Sequence, residues 1–217
     1  MEGADGKGRD MAEVTGIRQW WRGGEHHPSS RGGAPTALVL PGMGYSAEYP
    51  LLFWASTALV QAHWNVFVVD WDTSDLDLPA DIDEGRDFVE RAFERACDAL
   101  DAPAPDLLIG KSLGTLAATP AQESGSAVVA LTPVLAGPAP AHYPVCDTGR
   151  VLAVGGTADA LWDAARARRL GWEVLEVEGG DHSLQVRGDW RTSLRVVETV
   201  TSAVVDFARG LAPRPID

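Results

Sequence analysis

The sequence predicts one α/β domain in which helices cover both faces of a mostly parallel, doubly wound sheet. Short apolar runs alternate with amphipathic segments of helical length from residue 36 onward. The apolar runs are continuous, which is typical of strands buried on both faces. A chain of 217 residues is also long enough to bury such a core without disulfide or metal support.

The strands are predicted from apolar, β-branched runs that end at turn residues. A first strand is expected over residues 14–21, followed by a loop rich in Gly, Pro and Ser. The remaining strands are expected over residues 36–40, 65–71, 106–110, 127–131, 151–154 and 173–177. Residues 1–13 are Gly-rich and charged, so we expect a disordered tail there and a single domain over residues 14–217.

Helices are predicted between these strands from apolar residues spaced three and four apart. They are expected over residues 47–63, 81–100, 113–122, 161–170 and 189–211. In the last helix, the side chains expected to face the sheet are Trp190, Leu194, Val197 and Val204. Alternating strands and helices give a parallel sheet, and such sheets bind ligands outside the carboxyl ends of their strands.

The composition narrows the classes of function. Lys and Arg number 18 and Asp and Glu number 31, which gives a net charge of −13. A nucleic acid or an anionic membrane would be repelled, so neither is expected as a partner. No window reaches the roughly 18 uncharged apolar residues of a membrane helix. The first residues show no signal-peptide pattern and the two cysteines no disulfide framework, so we expect a cytoplasmic protein that acts on a small molecule.

The most informative segment is Gly110-Lys111-Ser112-Leu113-Gly114, which fits the pattern G-x-S-x-G. It follows a predicted strand and precedes a predicted helix, the context that this pattern requires. The glycines leave room for a tight turn that places the Ser112 hydroxyl at a helix N-terminus, where negative charge is favoured. A serine that only caps the helix is the alternative. We interpret Ser112 as a nucleophile.

A serine nucleophile needs a base, which is held in turn by a third group. Of the five histidines, only His182 follows a late predicted strand, through a Gly-Gly turn, and we interpret it as the base. Asp159 follows the strand over residues 151–154 and is the expected acid, with a helix N-cap as its alternative role. Asp163 and Asp181 are its rivals: Asp163 is expected to face solvent, and Asp181 is adjacent to His182 in the chain.

The chain order Ser112, Asp159, His182 is the order found in α/β-hydrolases, and the sequence resembles that superfamily from about Thr36 to the C-terminus. GKSLG is similar to its nucleophile elbow, GGTADALWD to its acid loop and GGDHSL to its histidine loop. PGMGYS is similar to its oxyanion loop, although the superfamily more often has His where Pro41 stands. The resemblance implies that the backbone N–H groups of Met43 and Leu113 are the oxyanion donors.

Many such hydrolases carry a lid after the sixth strand. Here that stretch is residues 132–150, and six of these 19 residues are Pro or Gly, which predicts a loop. The site is therefore expected to be open, which suits short acyl groups or substrates presented on something larger. Small members similar to dienelactone hydrolase resemble this chain in size and in lacking a lid. Their nucleophile is Cys where this chain has Ser112, so their particular reaction is not carried over.

Several other residues are candidates for substrate contact. They are Tyr45 and Ser46 beside the oxyanion loop and Trp71 and Trp162 beside predicted site loops. For Lys111 the sequence leaves open an ion pair, substrate steering, a structural role and solvent exposure. The acidic run over residues 70–84 lacks the Gly and final Glu of an EF-hand, so we interpret it as a solvated loop that disfavours anionic substrates.

The sequence thus predicts a serine hydrolase that cleaves a carboxylic ester, thioester or lactone through an acyl-enzyme, with no metal and no organic cofactor. Two alternatives stay open. The same residues fit an acyltransferase or cyclase that passes the acyl group to an alcohol or amine. A non-catalytic binding protein on the same fold is the other alternative, because a fold does not fix function.

Overall fold

The computed structural model describes residues 12–20, 33–78, 81–100, 104–137, 141–143, 145 and 149–211. Seven strands form one sheet in the order β1-β3-β2-β4-β5-β6-β7. They are β1 (Glu13–Gln19), β2 (Thr36–Leu40), β3 (Asn65–Asp72), β4 (Leu107–Lys111), β5 (Ala127–Leu131), β6 (Val151–Gly156) and β7 (Glu173–Val177). The edge strand β1 runs antiparallel to β3, and each of the other neighbouring pairs is parallel.

Helices cover both faces of this sheet. They are α1 (Pro50–Gln61), α2 (Ile82–Ala99), α3 (Ala118–Glu123), α4 (Ala164–Arg169) and α5 (Trp190–Leu211), with a 3-10 helix over Ser112–Ala117 before α3. Alternate residues of β2 show the two faces, because Leu38 and Leu40 pack with α2 and Ala37 and Val39 pack with α1 and α5. The doubly wound, mostly parallel sheet predicted from the sequence is confirmed.

Most element bounds agree with the sequence-based expectation to within one to three residues. The helix after Ser112 is tighter than expected, since its first six residues are 3-10. The inward face of α5 was predicted wrongly at two positions: Trp190 is 62% exposed and Leu194 is 61% exposed. The residues of α5 that are buried on the sheet are Val196, Val200, Val204 and Ala208.

The start of the chain is described only in part. Strand β1 begins at Glu13, so the last residue of the expected tail belongs to the sheet. Residues 1–11, which make up nearly all of that tail, lie outside the described residues. No helix in the described ranges is both long and apolar enough to cross a membrane.

Candidate active site

Ser112 lies in a turn at the carboxyl end of β4, where the 3-10 helix begins. Its φ is 49°, in the left-handed region that is uncommon for residues with a side chain and costs free energy; strained residues of this kind cluster at active sites. A Cβ atom at Gly114 would lie 2.2 Å from the Leu40 carbonyl oxygen, and one at Gly110 would lie 2.6 Å from the Gly114 carbonyl oxygen. Glycine is therefore required at both positions for the turn to close over β2.

Three side chains from separate loops form one hydrogen-bonded chain at this edge. His182 Nε2 lies 2.9 Å from Ser112 Oγ, and His182 Nδ1 lies 2.8 Å from Asp159 Oδ2. Because a carboxylate only accepts, Nδ1 carries the proton and Nε2 is left to accept from the Ser112 hydroxyl. The structure thus brings together the three residues that the sequence singled out.

The structure also distinguishes Asp159 from Asp163 and Asp181, the two other candidates for the acid. Asp159 is buried, and its second oxygen, Oδ1, accepts from the Leu161 N–H at 2.9 Å. Helix α4 is capped instead by Asp163, which accepts from the Arg166 N–H at 2.8 Å. Asp181 accepts from N–H groups of its own turn, so its carboxylate holds the loop of His182 and does not contact the imidazole.

The loop after β2 lies against the serine turn. Gly42 and Tyr45 exchange two backbone hydrogen bonds, and the Gly114 N–H donates to the Pro41 carbonyl at 3.0 Å. Within the described residues, the backbone N–H groups of Met43 and Leu113 have no acceptor. An oxyanion site is built from unpaired backbone donors, so these two N–H groups are available for that role.

Lys111 lies beneath this loop and is only 1% exposed, which excludes the solvent-exposed role. Its ammonium lies 4.9 Å from the centre of the Tyr45 ring, within range of a cation–π contact. Burial lowers the pKa of Lys111 to about 8, and the charges of Asp159 and Asp181 oppose that shift. The pattern G-x-S-x-G leaves this position unspecified, so only the packing of the loop over Lys111 identifies its environment.

Tyr45 is held on several sides. Its ring lies 4.8 Å from that of Tyr49, and its hydroxyl accepts from the Leu51 N–H at 3.2 Å. Burial raises the pKa of Tyr45 to about 12, so the phenol stays neutral. Tyr45 lines two cavities, one shared with the loop after β2 and one shared with the start of α5, and its ring lies between them.

The other three expected contact residues lie in different environments. Ser46 and Trp71 line a cavity of about 610 Å³ that begins at the oxyanion loop. Asp72 also lines it, and hydrogen bonds from Ser74 lower the pKa of Asp72, which keeps its charge. Trp162 packs on Gly155 and donates its indole N–H to Glu176 at 2.7 Å, so it is a core residue rather than part of this cavity.

Sequence reasoning missed two residues that support Ser112. Thr115 donates its hydroxyl proton to the Ser112 carbonyl at 2.5 Å, and its oxygen lies 2.8 Å from the hydroxyl of buried Tyr143. Tyr143 comes from the loop that was expected to replace a lid. No helix occurs in residues 132–137, 141–143, 145 and 149–150, and the rest of that loop lies outside the described residues.

Metal ligands do not converge at this site. Among the described residues, no group of three His, Cys, Asp or Glu side chains is arranged to hold a metal ion. The polar atoms around Ser112 are instead a hydroxyl, an imidazole, a carboxylate and backbone N–H groups, which are the groups used in acyl transfer to serine.

The sequence matches no family model and no curated protein. A lidless α/β serine hydrolase of Xanthomonas campestris is similar with a TM-score of 0.61 and 16% identity, covering 91% of this chain and 88% of its own. Est1E of Butyrivibrio proteoclasticus, solved with ferulic acid bound, is similar with a TM-score of 0.61 and 13% identity, covering 90% of this chain and 94% of its own.

A further protein of Xanthomonas campestris, proposed to be a hydrolase of the α/β superfamily, gives a TM-score of 0.60 and 19% identity. The alignment covers 81% of this chain and 99% of that protein. The chain therefore has the α/β-hydrolase fold, as its sequence predicted, and its structural neighbours include a serine hydrolase without a lid.

Proposed function

We propose that this protein is a serine hydrolase that cleaves a carboxylic ester, thioester or lactone. The observation that carries the proposal is the unbroken chain from Ser112 Oγ through His182 to Asp159, with hydrogen bonds of 2.9 and 2.8 Å. Ser112 is held at φ 49°, a strained conformation that supports a functional role for this serine.

In the proposed reaction, Ser112 Oγ attacks the substrate carbonyl while His182 Nε2 takes the hydroxyl proton. Asp159 keeps Nδ1 protonated and stabilises the imidazolium that forms. When the tetrahedral intermediate collapses to the acyl-enzyme, the C–O or C–S bond to the leaving group breaks and His182 gives the proton to the departing alcohol or thiol. A water molecule, deprotonated by His182, releases the acid and restores Ser112.

The negative charge of the tetrahedral intermediate falls on the former carbonyl oxygen. Met43 and Leu113 are proposed to donate their backbone N–H groups to it, each contributing roughly 3 kcal/mol to transition-state stabilisation. The proposal requires no metal and no organic cofactor, since each proton is moved by His182.

The test is hydrolysis of p-nitrophenyl acetate by the wild type and by Ser112→Ala. The variant should lose roughly 10⁶-fold in kcat, because it removes the nucleophile itself. Thermal unfolding of both proteins checks that the variant remains folded.

Ser124→Ala is a matched control, since Ser124 is exposed at the end of α3 and its hydroxyl only donates to the Pro120 carbonyl. It should retain wild-type activity. A folded Ser112→Ala protein with full activity would refute Ser112 as the nucleophile. An added alcohol or amine that becomes acylated in place of water would favour the acyltransferase alternative.

A further inference from the structure

A groove on the outer surface of α1 and α5 starts beside the proposed site. Its inner part, of about 640 Å³, begins at Tyr45 and at the two residues that flank His182 in the chain. Its outer part, of about 320 Å³, reaches Trp54. Leu194 and Val197 line both parts, so the two cavities are neighbours along α5. We name them together the α1–α5 groove.

The α1–α5 groove gathers apolar side chains that the fold leaves exposed. Four charged residues also line it: Asp181, Arg187, Asp189 and Glu198. Trp190 and Leu194 are more than 60% exposed, and Trp54 is 50% exposed. The side of α5 that packs on the sheet is a different stripe, formed by Val196, Val200, Val204 and Ala208. The exposed residues are thus not part of the core, and apolar surface of this kind beside a site marks a binding surface.

The length of the groove indicates the shape of its ligand. Trp190 lines the inner part and Ser202 lines the outer part. At a rise of 1.5 Å per residue, these two positions on α5 are about 18 Å apart along the helix axis. A groove of this length fits an extended chain rather than a single ring.

We propose that the α1–α5 groove binds a linear hydrocarbon chain of the substrate, attached to the carboxyl group that Ser112 attacks. This inference rests on the proposed function. The inner end is lined by Tyr45 and by Asp181 and Ser183, the two neighbours of His182 in the chain, so a chain lying in the groove has its reactive end beside the His182 loop.

Charge also favours a small neutral ligand over a large partner. The chain carries a net charge of −13, so a second copy of it would be repelled at long range. An anionic lipid surface would be repelled in the same way. A neutral hydrocarbon chain has no such cost, and it covers the apolar side chains of the groove.

The first test compares two series of esters with the wild type. One series lengthens the acyl chain from p-nitrophenyl acetate to the decanoate, and the other lengthens the alcohol of alkyl acetates from ethyl to decyl. In one of the two series, kcat/KM should rise by up to about fourfold for each added methylene group, because burying one methylene group contributes a factor of about that size. The series that rises shows which part of the substrate carries the chain. Flat values in both, with acetate still hydrolysed, would overturn the inference and leave the proposed function intact.

The second test removes apolar surface from the groove. Leu194→Gln and Trp54→Gln keep good helix formers in α5 and α1 while adding polarity. Each should lower the ratio of kcat/KM for the longest ester to that for the shortest by about fivefold or more. Val145→Gln is the control, because Val145 is an exposed apolar residue that does not line the groove, and it should keep the wild-type ratio. An unchanged ratio in both groove variants would contradict the inference.

A third test separates binding from turnover. Trp54 and Trp190 lie in the groove and report on it by fluorescence. The Ser112→Ala protein should show a saturable change with methyl decanoate and none with methyl acetate. If the wild type binds methyl decanoate saturably but hydrolyses no ester, the groove binds a hydrocarbon chain and the proposed function is refuted. An absence of any change with methyl decanoate would count against the groove.

A fourth measurement addresses a second copy as the occupant. Wild type and Leu194→Gln should sediment as the same species at the concentration of the assay. A wild-type dimer that Leu194→Gln dissociates would assign the groove to a protein interface and overturn the inference.

Discussion

The turn that carries Ser112 and the α1–α5 groove lie at the same end of the molecule, but they are packed in opposite ways. At the turn, a single added Cβ at Gly114 would lie 2.2 Å from a backbone oxygen, and Lys111 is fully enclosed. In the groove, Trp190 and Leu194 project into solvent. In terms of the proposed function, packing fixes the reacting groups, while exposed side chains are left free to contact the substrate.

After Ser112→Ala, the largest effect is expected from Asp159→Asn. The amide would donate to His182 Nδ1, so the imidazole would adopt the tautomer whose Nε2 carries the proton and no longer accepts from Ser112. We expect kcat to fall by about 10⁴-fold with little change in KM. Steady-state kinetics on a short ester measures both. A loss of less than tenfold would show that the carboxylate is not needed to orient the base.

Gly114→Ala tests the packed turn. The added Cβ meets the Leu40 backbone, so the turn and β2 must separate, at a cost of about 3 kcal/mol or more in unfolding free energy. Gly210→Ala is the matched control, since nothing lies within 4 Å of a Cβ there and alanine favours the helix. Chemical denaturation should show a large loss for the first variant and none for the second. Equal stabilities would contradict the tight packing.

Lys111→Met tests the cost of enclosing a charge. The pKa of Lys111 falls from 10.5 to about 8 on folding, so between these pH values the unfolded chain binds more protons and stability rises with pH. Below pH 8 the cost of burying the charged ammonium is fully present and lowers the free energy of unfolding by about 3 kcal/mol. Lys111→Met should therefore be more stable than the wild type by about that amount at pH 7.

The advantage of Lys111→Met should disappear as the pH approaches 10.5. Denaturant unfolding at a series of pH values measures the difference between the two proteins. Lys111→Arg is the control, because an arginine stays charged throughout and brings no such gain. A difference that does not vary between pH 7 and 10.5 would contradict the enclosed charge.

The smallest effect on stability is expected in the groove. Leu194→Ala should change the free energy of unfolding by less than about 0.5 kcal/mol, because the side chain is exposed. Leu52→Ala is the same substitution at a buried position of α1 and should cost about 2–5 kcal/mol. Urea titration of both variants makes the comparison. A similar loss in both would mean that Leu194 belongs to the core and is not free to bind a ligand.

The sequence identifies the sheet and the serine turn because both depend on local patterns. Continuous apolar runs mark the strands, and glycines around Ser112 mark a turn that tolerates no side chain. His182 and Asp159 are found because the carboxyl ends of parallel strands share one edge. The meeting of these three side chains follows from topology, so it is predictable without coordinates.

What the sequence misses depends on packing between distant segments. Helix α5 carries two apolar stripes that overlap at Val204, and only the position of the sheet decides which one is buried. Trp162 is buried because Gly155, which has no side chain, leaves space for its ring. Lys111 is buried because the turn from Gly42 to Tyr45 covers it. None of these contacts has a signature in its own segment.

The most direct test of the proposed activity is labelling with a fluorophosphonate, followed by peptide mapping. Only a serine activated by a neighbouring base reacts readily, so the wild type should gain one adduct on the peptide that contains Ser112. Ser112→Ala should gain none, and Asp159→Asn should react far more slowly. A folded wild type that forms no adduct, or forms one on another serine, would contradict the account.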